Sequence, residues 1–64
     1  MLTFDFTYTC DMTIIFDSAL EMKISGALSK AINKITWAFN NYPFKEAIVI
    51  NSHTGEILLI AHNN

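Results

Sequence analysis

The feature that most constrains the fold is a long alternation of apolar and polar residues near the N-terminus. Eight apolar residues recur at every second position: Leu2, Phe4, Phe6, Tyr8, Cys10, Met12, Ile14 and Phe16. The residues between them are threonine or aspartate, apart from Ile15. A period of two is typical of a β-strand with one buried and one solvated face. The pattern predicts one long bent strand over residues 2–16, or two strands joined near Cys10 and Asp11.

A second alternating segment follows directly. Leu20, Met22 and Ile24 alternate with polar neighbours through residue 25. The link Asp17-Ser18-Ala19 contains residues that favour turns. The two segments are therefore predicted to form an antiparallel β-hairpin.

The next segment has helical periodicity. Ser25 is a candidate N-cap, because its hydroxyl could accept a hydrogen bond from the first turn. The helix is predicted to begin at Gly26 or Ala27 and to end at residue 40 or 41. Asn41 could close it in the left-handed conformation, and Pro43 prevents continuation. At 3.6 residues per turn, one apolar stripe contains Leu28, Ala31, Ile32, Ile35, Ala38, Phe39 and Tyr42.

The C-terminal part of the chain predicts a second hairpin. Its strands are EAIVIN and EILLIA, and its turn is Ser52-His53-Thr54-Gly55, with Gly55 at positive φ. Both strands are apolar on both sides, which favours burial of both faces.

The predicted fold class is α+β, in a single domain spanning residues 1–64. Its elements are a β-hairpin or meander, a helix and a β-hairpin. The single helix packs on one face of a four- or five-stranded, mainly antiparallel sheet.

Trp37 does not fit the apolar stripe of the helix. It lies on the opposite side of the helical wheel, among lysines and asparagines. Tryptophan is enriched at binding hot spots, so the surface is predicted to bind a partner. The predicted partner-binding residues are Trp37, Lys30, Asn33, Lys34, Asn41, Tyr42 and Phe44. Alternatively, Trp37 binds no partner, and its indole ring lies flat on the helix, covered by the stems of Lys30 and Lys34 or by the 41–44 loop.

The sheet face away from the helix is the second anomaly. One helix covers one face, so one side of the C-terminal hairpin should remain open, and soluble monomers rarely expose a contiguous apolar patch. The predicted self-association residues are Ala47, Val49, Leu58 and Ile60, buried in a homodimer. In the alternative, the sheet curls and the N-terminal strand covers them.

Catalytic, metal-binding and cofactor-binding motifs are not recognisable in this sequence. His53 and His62 are expected at opposite ends of the last strand, too far apart to share a metal ion. The aspartates do not follow the spacing of a calcium loop. Cys10 lies on the apolar side of its strand, where a thiol behaves as a small hydrophobe. We expect no enzymatic activity, no cofactor and no metal.

Charge and hydropathy restrict the partners further. The chain has four lysines, no arginine and a net charge of −2, so we do not expect it to bind duplex nucleic acid. The N-terminus has no signal-peptide pattern, and no apolar run approaches the roughly 20 residues of a transmembrane helix. We expect a soluble, cytoplasmic protein, in which a lone cysteine stays reduced.

Three functions remain. The first is a non-enzymatic protein-interaction module, an inhibitor or adaptor. Small phage- or mobile-element-encoded proteins that block bacterial defence systems are one class of this kind. The second is a single-stranded nucleic-acid or nucleotide binder that uses Trp37 with Lys30 and Lys34. The third is a homo-oligomeric structural building block.

Overall fold

The computed structural model describes residues 9–63, which form four strands and one helix. The elements are β1 (Thr9–Phe16), β2 (Leu20–Ala27), α1 (Leu28–Asn41), β3 (Glu46–Asn51) and β4 (Ile57–His62). The strand order is β2-β1-β3-β4, and all neighbouring strands are antiparallel. The predicted α+β fold, with one helix on a four-stranded sheet, is confirmed. The predicted strand positions 2–8 lie outside the described residues.

The β1–β2 hairpin has the predicted turn at residues 17–19. Asp17 and Ser18 both adopt positive φ, at 52° and 57°, and the N–H of Ala19 donates to the carbonyl of Phe16. Two successive left-handed residues match the right-handed twist of the strands that they join. The Asp17 carboxylate also accepts hydrogen bonds at 2.9 Å from the backbone N–H groups of residues 45 and 46. The turn is thereby tied to the start of β3.

The core lies between α1 and the face of the sheet that it covers. Its fully or almost fully buried apolar residues are Met12, Ile14, Phe16, Leu28, Ala31, Ile35, Ala38, Ala47 and Val49. The buried strand residues occupy every second position, and the buried helical residues recur every three or four positions. Side chains from the sheet and from the inner side of α1 therefore pack together in one apolar layer.

The predicted N-cap at Ser25 is wrong. β2 continues to Ala27, which is the N-cap in extended conformation and makes no side-chain cap hydrogen bond, so α1 begins later than predicted, at Leu28. The Ser25 hydroxyl donates to Asp11 on the neighbouring strand instead. Gly26 has a φ of 131°, a conformation that other residues rarely adopt, and redirects the chain from strand to helix.

The predicted helix end at residue 40 or 41 is confirmed, but its predicted closing geometry is wrong. Asn41 is helical rather than left-handed, and Tyr42 ends the helix in an extended conformation with φ −137°. The N–H of Tyr42 still donates to the carbonyl of Ala38. The change of backbone direction takes the Tyr42 side chain out of the predicted buried stripe, and it is 50% exposed.

The β3–β4 hairpin contains the predicted turn, and Gly55 adopts the predicted positive φ of 77°. Its ladder contains an irregularity. Val49 pairs with Leu59 whereas Ile50 pairs with Ile57, so that Leu58 is an extra residue in β4. Such a β-bulge shifts the alternation of side chains along the strand.

Most of the predicted self-association set is misplaced. Ala47 and Val49 are 0% exposed, because they pair with Phe16 and Ile14 on the helix-covered face. Leu58 is the extra residue of the β-bulge, and its side chain is half-buried against the core. Ile60 is 51% exposed, as predicted.

The open face of the sheet is nevertheless apolar over β3 and β4. We call the following residues the isoleucine patch: Ile15, Ile48, Ile50, Ile57 and Ile60. Ile57 and Ile60 are more than half exposed, and the other three are half-buried. Within residues 9–63 the open face is thus apolar, but Ile60 is the one member of the predicted set that lies on it.

Candidate functional site

Four aromatic rings form a continuous row from the surface to the core. Trp37 packs edge-on against Tyr42 at 5.7 Å between ring centroids, and Tyr42 lies 5.6 Å from Phe44. Phe44 stacks on the fully buried Phe16 at 4.6 Å. We call Trp37, Tyr42, Phe44 and Phe16 the aromatic row. Its inner end is fixed by the core, so its outer rings are held in defined positions.

The outer end of the aromatic row is accessible. Trp37 is 49% exposed and Tyr42 is 50% exposed. The Lys34 ammonium lies 5.3 Å from the indole centroid, within the range of a cation–π interaction. Lys34 and Tyr42 thus cover part of the ring, as one of the sequence interpretations expected. Lys30 does not, since its ammonium donates to the carbonyl of Ser25.

Helical spacing explains why Trp37 lies on the outside. Ile35 and Ala38 are buried on the inner side of α1, and Trp37 lies between them in sequence on the outer side. The Asn41 amide donates at 2.7 Å to the Trp37 carbonyl, one turn earlier. Tyr42 then reaches the indole edge only because the chain leaves the helix in an extended conformation.

The predicted partner-binding residues divide into three groups. Lys34, Trp37, Asn41 and Tyr42 lie together at the outer end of the aromatic row. Phe44 is half-buried and supports this surface from within. Asn33 is exposed on α1, and Lys30 points towards the end of β2. The accessible anchor is therefore the pair Trp37 and Tyr42.

Charge is distributed unevenly between this surface and the rest of the chain. α1 carries two lysines and no carboxylate, whereas the whole chain carries six carboxylates and a net charge of −2. The face that presents the indole is thus locally cationic. An acidic border around an apolar pocket would complement it.

A polar cluster that the sequence analysis did not anticipate lies on the open face. The Ser25 hydroxyl donates to Asp11 at 2.6 Å, and the His53 ring nitrogen Nε2 lies 2.8 Å from the other carboxylate oxygen. These residues line a shallow cleft of about 420 Å³ together with Lys23 and Ser52. The carboxylate lies between the hydroxyl and the imidazole. A nucleophilic triad needs the imidazole in the middle, so the hydroxyl here is not activated.

Protein-family models, curated proteins and solved structures contain no match to this chain. The candidate functional site is therefore inferred from the positions and contacts of its own residues.

Metal-binding residues do not cluster in the described part of the chain. Within residues 9–63, no three histidine, cysteine or acidic side chains are grouped so that they could hold an ion. His53 lies in the β3–β4 turn and His62 at the end of β4, at opposite ends of that strand as predicted.

Within residues 9–63, α1 is too short and too polar to cross a membrane.

The Asp11 cluster predicts a pH effect. Hydrogen bonds from Ser25 and, second, from His53 hold the pKa of Asp11 below its ordinary value of 3.8. A folded-state pKa below the unfolded one stabilises the fold above the unfolded pKa, and this contribution is lost as pH falls through the folded pKa. Ser25→Ala should therefore raise the Asp11 pKa towards 3.8 and shift acid unfolding upwards in pH. An NMR titration of the Asp11 carboxyl carbon in both proteins measures this; equal Asp11 values would contradict it.

Proposed function

We propose that this chain is a small protein-interaction module that binds another protein through Trp37 and Tyr42, in the manner of an inhibitor or adaptor. The observation that carries the proposal is the exposed end of the aromatic row. Two large rings, each about half exposed, pack on one another at the surface while their support reaches into the core.

Binding energetics favour such an arrangement. Tryptophan and tyrosine bury a large apolar area with few rotatable bonds and retain one hydrogen-bond donor each. Their orientation is already restricted by edge-to-face packing and by Phe44. Less conformational entropy is lost on binding when side chains are ordered beforehand. A hot-spot aromatic of this kind contributes about 2 kcal/mol or more to binding.

The proposed partner is a protein with an apolar pocket bordered by carboxylates. Lys34 lies against the indole, and α1 lacks acidic residues. Rim charges mainly increase the association rate, so salt should slow association more than it speeds dissociation. The single cysteine of the chain suits a reducing compartment, and we propose that the encounter takes place in the cytoplasm.

The nucleic-acid alternative is weaker. Trp37 beside Lys34 could stack one base, but single-strand binders combine several stacking rings with a basic groove. Here Lys30 points towards β2 and the net charge is −2. Binding of oligonucleotides that weakens steeply with salt would favour this alternative over the protein partner.

Capture from the native host tests the proposed function. Immobilised wild-type protein should retain a specific protein from nuclease-treated lysate, and Trp37→Ala should lose it. Ile57→Ala is the matched control, because Ile57 is a comparably exposed apolar side chain on the other face of the sheet. Retention by all three proteins, or loss by both variants alike, would contradict a site centred on Trp37.

A further inference from the structure

The open sheet face suggests a second interaction, separate from the partner surface on α1. We propose that the isoleucine patch binds a second copy of this chain face to face, about a twofold axis that runs across the strands. The dimer goes beyond the proposed function, because it uses the side of the sheet that α1 does not cover.

The strand register arranges the open face in two parallel rows. The first row runs across the sheet as Glu21, Ile15, Ile48 and Ile60. The second row, two residues away along each strand, is Lys23, Thr13, Ile50 and Ile57. Both rows are apolar over β3 and β4 and carry their charge on β2. The two charges are opposite.

A twofold axis midway between these rows makes the face complementary to itself. The axis superposes each strand on the same strand of the other copy, in the reverse direction, and so the first row faces the second. Glu21 of each copy then faces Lys23 of the other, which gives two opposite-charge pairs. Ile48 faces Ile50 and Ile60 faces Ile57, so the isoleucines meet in a sheet-on-sheet layer about 10 Å thick.

The register also argues against the other simple arrangement. An axis parallel to the strands, midway between β1 and β3, would place β2 of one copy over β4 of the other. Glu21 would then face Ile60, and Lys23 would face Ile57. Burying a charge against an apolar side chain without a partner is unfavourable. Charge and apolar surface are matched only when the axis crosses the strands.

Polar groups near this interface already have hydrogen-bond partners. The Thr13 hydroxyl, within the second row, lies 2.8 Å from the Ser52 hydroxyl. At the ends of the sheet, Asp11 of one copy comes nearest Asp17 of the other. Asp11 binds Ser25 and His53, and Asp17 accepts two backbone N–H groups, so both carboxylates are held within their own chain. The dimer leaves no buried polar group of these residues without a partner.

The size of the face indicates moderate affinity. A four-stranded sheet is about 19 Å wide, and six-residue strands are about 20 Å long. Such a face lies at or below the roughly 800 Å² per partner of standard interfaces. We therefore expect a dissociation constant in the micromolar range, which sedimentation equilibrium can measure between about 1 μM and about 1 mM.

Charge exchange tests the proposed geometry. Glu21→Lys and Lys23→Glu each place like charges opposite one another in both β2 pairs, one on each side of the axis, and each should weaken the dimer about tenfold or more. Mixing the two variants restores both opposite-charge pairs in a heterodimer. The mixture should therefore associate as tightly as the wild type, although neither variant does so alone. Recovery upon mixing shows that Glu21 of one copy lies opposite Lys23 of the other. Because β2 is an edge strand, the Ile48 variant described next distinguishes facing sheets from edge-to-edge pairing of β2.

Two further variants complete the test. Ile48→Lys introduces a charge at the centre of the patch and should leave a folded monomer, with its fold checked by circular dichroism. Trp37→Ala should dimerise like the wild type, since Trp37 lies on the outer side of α1. A wild type that remains monomeric at about 1 mM overturns the proposal. The proposal is also overturned if Ile48→Lys does not weaken dimerisation. It is likewise overturned if mixing the two charge variants does not restore the wild-type affinity.

Discussion

Phe16→Ala is expected to remove most of the folding free energy of this chain. Phe16 is 0% exposed, stacks on Phe44 at 4.6 Å and meets Phe39 edge-on at 6.4 Å. Truncating a core phenylalanine to alanine costs about 3–5 kcal/mol. A domain this short buries a smaller share of its surface than a larger one, and its stability lies near the lower end of the usual range, about 5 kcal/mol. Urea unfolding followed by circular dichroism measures the loss.

Phe16→Leu is the matched control for this prediction. It keeps an apolar side chain at the same position and leaves a smaller cavity, so its loss should be well below that of alanine. The alanine variant should also free Phe44, and hence Tyr42, at the surface. A loss below about 1 kcal/mol for Phe16→Ala would mean that Phe16 does not anchor the aromatic row.

Trp37→Ala is expected to weaken binding of the captured partner about 30-fold, equivalent to about 2 kcal/mol. The same change should alter the free energy of unfolding by less than about 1 kcal/mol, because half of the indole is exposed and its contacts are Lys34 and Tyr42 at the surface. Isothermal titration calorimetry and urea unfolding give the two quantities on the same variant.

The contrast between binding and stability is the informative part. Trp37→Phe should recover part of the affinity, because it keeps an aromatic ring beside Tyr42. Lys34→Ala should cost less than Trp37→Ala, since exposed cation–π contacts contribute about 0.5–1 kcal/mol. If Trp37→Ala lowers stability by more than it lowers affinity, the indole has a structural role and the proposed anchor is wrong.

The fold could be predicted because its elements have clear periods. The alternation in β1 and β2, the turn at residues 17–19 and the helical stripe each agree with one architecture. The buried face of β3 could not be predicted in the same way. Glu46 shares one side with Ile48 and Ile50, while Asn51 shares the other with Ala47 and Val49. Each side thus has one polar residue, and only pairing with β1 decides which side the helix covers.

Asn51 is the reason why the two sides of β3 look alike in the sequence. Its side-chain oxygen accepts hydrogen bonds from the backbone N–H groups of His53 and Thr54, so a polar residue is accommodated at the buried end of β3. The N-cap was wrongly predicted at Ser25 for a similar reason. Ser25 has the side chain of a good N-cap, but in β2 its hydroxyl faces Asp11 across the hairpin. A tertiary partner therefore overrides the local preference.

The candidate site was partly predictable. The helical wheel places Trp37 outside, but the exposure of Tyr42 depends on the backbone turning away after Asn41. The Asp11–Ser25 contact was within reach of sequence reasoning, because a hairpin turn at residues 17–19 pairs residue 11 with residue 25. The addition of His53 was not, since it requires β3 to lie beside β1.

The most direct test of the interaction surface is 19F NMR of protein labelled with 5-fluorotryptophan. The chain contains one tryptophan, so one resonance reports on Trp37 alone. In the free protein, the resonance should shift between H2O and D2O, as expected for a half-exposed indole. In the complex with the captured partner, this solvent shift should disappear. A solvent shift that is the same free and bound would contradict the claim that Trp37 is the docking anchor.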